Sequence, residues 1–352
     1  MSRSLSEYKY SFENDYSELA HPRVLEALAA LGTAQFAAYG EDEHSEQARA
    51  LIRQKIGRPD ADVHFACGGT QANRIVIAAA LRPFEAVIAA ASGHVNMHET
   101  GAIEASGHKV CTRPATDGKL SCAAIESIVA EHTDEHMVRP RLVYISQSTE
   151  LGSVYKKAEL EAIAACCRQH GLYLYIDGAR LGAALAAPAA DLTYADIARL
   201  ADAFYIGGTK NGALLGEAIV ICHPDLKPDF RFYLKQNGTL LGKSAVIGIE
   251  FKALMADGLY DQLAAHAVSL GQKLSEGIAR LGYDFFCPTE TNQVFPILPN
   301  PTLAKIRELY HFLDWQPLGD QTAVRLIASW ATEEERIDEF LDDLAAITHR
   351  PE

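Results

Sequence analysis

The chain has 352 residues, 48% of them hydrophobic and 22% charged, with a formal net charge of −14 at pH 7. This is a globular composition, long enough for one large domain and a smaller one. The acidity argues against a nucleic-acid partner, whose phosphates need a basic footprint, and gives no support for docking on an anionic membrane. No uncharged apolar stretch approaches the roughly 20 residues of a membrane span, and the opening MSRSLSEYKYSFENDY lacks the apolar centre of a signal peptide. The seven cysteines have no regular spacing, and the only close pair, Cys166 and Cys167, is vicinal. They read as reduced thiols of a cytoplasmic protein rather than a disulfide framework or zinc site.

Along the chain, short β-rich runs alternate with helical patterns. Strands are expected at 63–68, 86–91, 108–113, 141–148, 172–178, 203–208 and 217–222, and helices at 70–81, 98–106 and 157–171, the last stopping at Gly171. Near-continuous apolar strands separated by helices predict a mostly parallel α/β sheet covered on both faces. After about residue 245 comes a long helical stretch with a break near Asp257-Gly258. Short strands in NQVFPIL and AVRLIASW follow, then a charged terminal helix. The expected organisation is an N-terminal arm (1–14), a large domain (15–245) and a smaller C-terminal α+β domain (246–352).

Sites in such folds gather at the carboxyl ends of the strands. CGGTQAN (67–73) joins a strand to a helix through Gly68, Gly69 and Thr70. Free N–H groups at a helix start, glycines and a hydroxyl suit a phosphate; a plain βα turn with Thr70 as N-cap suits the same residues. YIDGAR (175–180) ends a buried strand on Asp177. A buried carboxylate needs a partner, either Arg180 or the cationic ring nitrogen of a ligand. In GGTKNG (207–212), Lys210 lies 33 positions after Asp177. A phosphate cup, an aspartate strand and a lysine strand in that order are what pyridoxal 5′-phosphate (PLP) requires. Lys210 forms the Schiff base, Asp177 keeps the pyridine nitrogen protonated, and the glycines leave the linkage room to swing.

The segments FENDYSELAHPRV, YGEDEHS, GGTQAN, GHVNMHETGAIEASGHKV, YISQSTELGSVY, IDGARLG, YIGGTKNGALLGEA, TNQVFPIL and VRLIASWAT run in order through nearly the whole chain. Together they resemble the threonine aldolase/β-eliminating lyase family of PLP enzymes. The resemblance implies the aspartate aminotransferase-like fold (fold type I), with a seven-stranded, mostly parallel sheet in the large domain. It also implies a homodimer or homotetramer with active sites at subunit interfaces. It assigns Lys210 to the Schiff base, Asp177 to the ring nitrogen, Arg180 to the phenolic oxygen, and Gly68, Gly69 and Thr70 to the phosphate. His94 matches the histidine stacked on the ring, with His98 as competitor, and Arg325 matches the arginine that grips the substrate carboxylate. In three places the chain departs from better-known members: Thr209 and Asn211 flank the lysine, Asn14 stands where they have serine, and Glu150 stands where they have a histidine. The implied activity is retro-aldol cleavage of an L-β-hydroxy-α-amino acid such as L-threonine or L-allo-threonine to glycine and an aldehyde, with Glu150 or His94 as base. The alternatives are a β-eliminating PLP lyase and a non-catalytic PLP-binding protein; a Rossmann enzyme is more distant, since GxGxxG is absent. Lys235 and Lys243 could reach a phosphate or form a solvated face.

Overall fold

A computed structural model describes residues 4–348, so the first three positions of the expected arm and the last four of the chain lie outside the described residues. The central sheet has seven strands in the spatial order Asp62–Ala66, Glu217–Ile221, Ala203–Gly207, Tyr173–Asp177, Arg139–Ser146, Glu85–Ala90, Val110–Arg113. All seven strands fall where the apolar runs put them. Glu217–Ile221 runs antiparallel to both neighbours; the remaining pairs are parallel. Every residue of Glu85–Ala90, Ala203–Gly207 and Glu217–Ile221 is buried, as a sheet covered on both faces demands. The antiparallel strand matters for the site. It begins at the edge where its neighbours end, so its first residue, Glu217, pairs with Gly207 and Ala66 there.

The helices at Gly69–Ala80 and Lys157–Gln169 follow the expected pattern, and the second is followed by Gly171 at φ +64°. The expected helix over 98–106 does not form. Thr100 (φ +53°) and Gly101 (φ +70°) take left-handed backbone there, and only a short helix His94–Met97 and a turn Glu104–Ser106 remain. Glu99 is drawn inward between His94 and Asn73, which a continuous surface helix would not permit.

The long C-terminal stretch is two helices, Ala245–Met255 and Leu259–Arg280, broken by left-handed Asp257 and Gly258. Ile247, Phe251 and Leu254 pack into the same core as the sheet residues Phe204 and Val220. A second core joins Leu274 of the helix Leu259–Arg280, Val294 and Leu326 of the small antiparallel sheet, and Phe340 of the terminal helix Glu334–Thr348. The N-terminal segment belongs to this second core: Tyr10–Ser11 pairs with Tyr310–His311, and Phe12 is fully buried against Tyr310 and Phe340. Burying a phenylalanine contributes about 2–3 kcal/mol. That anchors the chain just before Asp15 and Tyr16. Among the described residues no helix is long and apolar enough to cross a membrane.

Candidate active site

The carboxyl ends of the strands open into two adjoining cavities of about 310 and 680 Å³, which share Tyr16, His94, Glu150, Arg180 and Lys210. Gly68, Gly69, Thr70, Asp177 and Thr209 line the inner one, and His98, Trp315 and Arg325 the outer. His94 borders both, His98 only the outer. Asn14 is in neither lining. Its side chain accepts from the Tyr16 N–H (2.9 Å) and the Ser17 hydroxyl (3.0 Å), shaping the turn that presents Asp15 and Tyr16. Lys235 and Lys243 are also outside both linings; the Lys235 ammonium sits 4.6 Å from the Tyr39 ring centre.

The helix Gly69–Ala80 is capped by Gly68 without a side-chain bond, so Thr70 lies in its first turn and is not the cap. The first intrahelical bond runs from the Ala72 N–H to the Gly68 carbonyl at 3.0 Å, leaving the preceding N–H groups at the cavity end of the helix. Gln71 braces the turn, accepting from the Cys67 N–H and donating to the Asn237 carbonyl, each at 3.0 Å. A Cβ on Gly69 would lie 2.9 Å from the Tyr205 hydroxyl.

Asp177 does not pair with Arg180. It accepts from Tyr205 (2.5 Å), Tyr144 (2.6 Å), Asn73 Nδ2 (2.9 Å) and the Ala179 N–H (3.0 Å). Burial alone would raise this carboxyl; the His94 charge and the two tyrosine hydroxyls outweigh it and keep Asp177 ionised. Arg180 pairs instead with buried Asp15, Nε to Oδ2 at 2.7 Å and an Nη to Oδ1 at 2.9 Å. Asn292 adds a third donor to Asp15 at 3.2 Å.

Lys210 follows the Ala203–Gly207 strand. Burial, and then the Arg180 charge, lower its pKa, against the pull of Asp15, Asp177 and Glu217. The glycines beside it have another reason than room for a ligand: a Cβ on Gly207 would fall 2.4 Å from the Ala179 carbonyl, and one on Gly208 2.7 Å from that of Gly216. Asn211 is buried and donates to the Tyr260 carbonyl at 2.8 Å, locking the turn. The Thr209 hydroxyl donates to Glu217 at 2.8 Å.

His94 Nδ1 contacts Glu99 Oε1 at 2.8 Å. Glu150 Oε1 accepts from the His94 N–H (2.9 Å) and the Ser146 hydroxyl (2.7 Å), and burial raises its pKa against those bonds. Arg325 has a buried Nε without a hydrogen-bond partner and lies 5.8 Å from the Trp315 ring centre. A half-buried guanidinium with an unpartnered Nε, lining a cavity, suits a carboxylate.

Sequence reasoning missed Asp15, Asn73, Glu99, Tyr144, Tyr205 and Glu217. Tyr144, Tyr175 and Tyr205 each stand two residues before the end of their strand. Three hydroxyls at one depth of a core need polar partners, here Asp177 for Tyr144 and Tyr205 and Asn73 for Tyr175, a signal the sequence does contain.

A family model described as "Beta-eliminating lyase" matches residues 21–300. The chain belongs to the β-eliminating lyase family. Within the family it is similar to the low specificity L-threonine aldolase of Pseudomonas sp., at 34% identity over 97% of this chain and 99% of that one. It is also similar to that of Pseudomonas aeruginosa, at 31% over 97% and 99%. Among solved structures, Leishmania major threonine aldolase superposes with a TM-score of 0.95 at 49% identity, covering 96% of this chain and 99% of that one. The Thermus thermophilus aspartate aminotransferase, at 17% identity and a TM-score of 0.71 over 97% of this chain and 91% of that one, shares the fold. This β-eliminating lyase therefore has the aspartate aminotransferase-like architecture that its motifs predict.

Proposed function

We propose that the chain is a PLP-dependent carbon–carbon lyase that cleaves L-threonine, L-allo-threonine or related L-β-hydroxy-α-amino acids to glycine and an aldehyde. The observation that carries this is the convergence of Lys210, Asp177, Glu150 and Arg325 on two connected cavities. The donor set fits the cofactor: a buried amine for its aldehyde, an ionised carboxylate for its ring nitrogen, and a helix start for its phosphate. Bound there, PLP supplies the electron sink that makes cleavage of the Cα–Cβ bond accessible.

The remaining work falls to the chain. Burial shifts Lys210 toward the neutral amine, the form that attacks a carbonyl. Asp177, held ionised, would supply the negative charge that the ring nitrogen requires, and the Asp15–Arg180 pair fixes a cation at the cavity wall. His94 borders both cavities and would be the residue to stack on the cofactor ring. Arg325 orients the amino acid by its α-carboxylate. Glu150 accepts the β-hydroxyl proton as the Cα–Cβ bond breaks, and its raised pKa makes it a stronger base than an exposed carboxylate. The mouth lined by exposed Tyr16 and Met97 supports a homo-oligomer in which a second copy completes the site.

The test is product analysis of PLP-loaded protein with L-threonine, L-allo-threonine and β-phenylserine. Equimolar glycine and aldehyde are expected. Pyruvate and ammonia from a β-substituted amino acid, without glycine, would select β-elimination, and no turnover of either kind would make the chain a non-catalytic PLP binder.

A further inference from the structure

The cysteine spacing carries no metal motif, but the fold brings sequence-distant donors together away from the active site. Cys122 and Glu126 stand one turn apart on the helix Cys122–Glu131, and Cys166 and His170 one turn apart at the end of the helix Lys157–Gln169. The two helices pack against each other. Side chains four apart share a helix face, so each helix presents a pair of donors to the seam. Single ligand atoms of Glu126, Cys166 and His170 all lie within 4.8 Å of one another, and His170 Nε2 is 3.8 Å from Glu126 Oε1. The Cys122 thiol neighbours that of Cys166 and, after burial, helps push the Cys166 thiol up to about 11. None of these residues lines either active-site cavity.

We propose that Glu126, Cys166 and His170, with the neighbouring Cys122 as fourth ligand after a side-chain rotation, form a binding site for a soft divalent cation of the zinc type. Thiolate and imidazole donors select zinc-like ions over magnesium or calcium. Zinc bonds of about 2.0–2.3 Å in a tetrahedron put ligand atoms roughly 3.3–3.8 Å apart. The 3.8 Å separation of the glutamate and histidine atoms is already there, and the wider ones close by small side-chain rotations. A second observation points to a ligand: His170 Nε2 is buried without a hydrogen-bond partner, and such atoms are normally satisfied by protein, water or metal. The site staples the Cys122–Glu131 and Lys157–Gln169 helices on one face of the sheet, so its effect is on stability rather than turnover.

The experiment uses the PLP-loaded protein incubated with Zn²⁺, dialysed, and assayed for metal by mass spectrometry. Co²⁺ serves as a parallel probe because its d–d bands at long wavelength report tetrahedral thiolate coordination clear of PLP absorption. One zinc per chain, a zinc-dependent rise in Tm and intense cobalt bands are expected. His170→Gln, at a half-buried helix end, and Glu126→Ala, at an exposed position, weaken zinc binding by more than the roughly 10–100-fold typical of outer-shell changes. Cys166→Ser sharply weakens the cobalt bands, while aldolase activity is unchanged in all three. No zinc retained by the unmodified protein, or retention undiminished in His170→Gln and Glu126→Ala, overturns the assignment.

Discussion

Thr209, the residue before Lys210, donates its hydroxyl to Glu217 at 2.8 Å, and the Gly208 N–H donates to the other oxygen of the same carboxylate at 2.9 Å. Glu217 is almost fully buried and lines the inner cavity with Lys210. Burial raises its pKa, while its charge raises that of Lys210. Replacing Glu217 by Gln keeps the acceptor and removes the charge. The acid limb of PLP uptake by the cofactor-free protein then moves to lower pH by about one unit, because Lys210 loses its proton more readily. A limb that stays in place would dissociate Glu217 from the lysine.

Glu250 anchors the far side of the same turn, accepting from the Leu214 N–H (2.7 Å) and the Leu215 N–H (3.2 Å). Burial pushes its pKa up to about 7 from the ordinary 4.5. With the folded value above the unfolded one, the native state binds more protons between them, so stability falls as pH rises through that window. The contribution is complete below about pH 4.5 and gone above about pH 7. Urea unfolding at pH 5 and pH 8 is expected to show the unmodified protein losing about 3 kcal/mol relative to Glu250→Gln. Parallel pH profiles for the two proteins would refute this.

The Asp15–Arg180 pair ties the N-terminal segment to the end of the aspartate strand. Removing one partner of a buried pair leaves an uncompensated charge, at a cost of about 3–5 kcal/mol. Asp15→Ala is therefore expected to lower Tm by several degrees and to weaken PLP retention. Asp15→Asn, which keeps one acceptor for the guanidinium, recovers part of both. Equal Tm for all three proteins would show the pair to be dispensable.

Glu150 is the departure that most affects the chemistry. In Glu150→Gln the Oε1 bonds from the His94 N–H and the Ser146 hydroxyl survive, so PLP binding and its absorption spectrum are unchanged. Turnover of L-threonine falls about 10²–10⁴-fold, the range for loss of a general base. A normal kcat in this variant would assign the β-hydroxyl proton to another group, with His94 next in line.

Much of the fold and part of the site were legible in the sequence, and the boundary has a physical reason. The strands were plain because each is apolar along its full length, and the lysine, aspartate and glycine-rich turn because they follow strands directly. Glu217 was not, because it begins a strand, and only the antiparallel direction of Glu217–Ile221 brings it to the site edge. Asp15 was overlooked because its partner lies 165 positions away, a relation no local pattern encodes. The 98–106 stretch reads as a helix by composition, yet the pull of Glu99 toward His94 and Asn73 overrides propensity.

The central claim is that Lys210 is the residue that binds the cofactor covalently. Borohydride reduction of the PLP-loaded protein, followed by proteolysis and peptide mass spectrometry, tests it most directly. The account predicts a single phosphopyridoxyl group on the peptide containing Lys210 and none in Lys210→Ala. A reduced adduct on Lys235, Lys243 or any other lysine, or an unchanged adduct in Lys210→Ala, would contradict it.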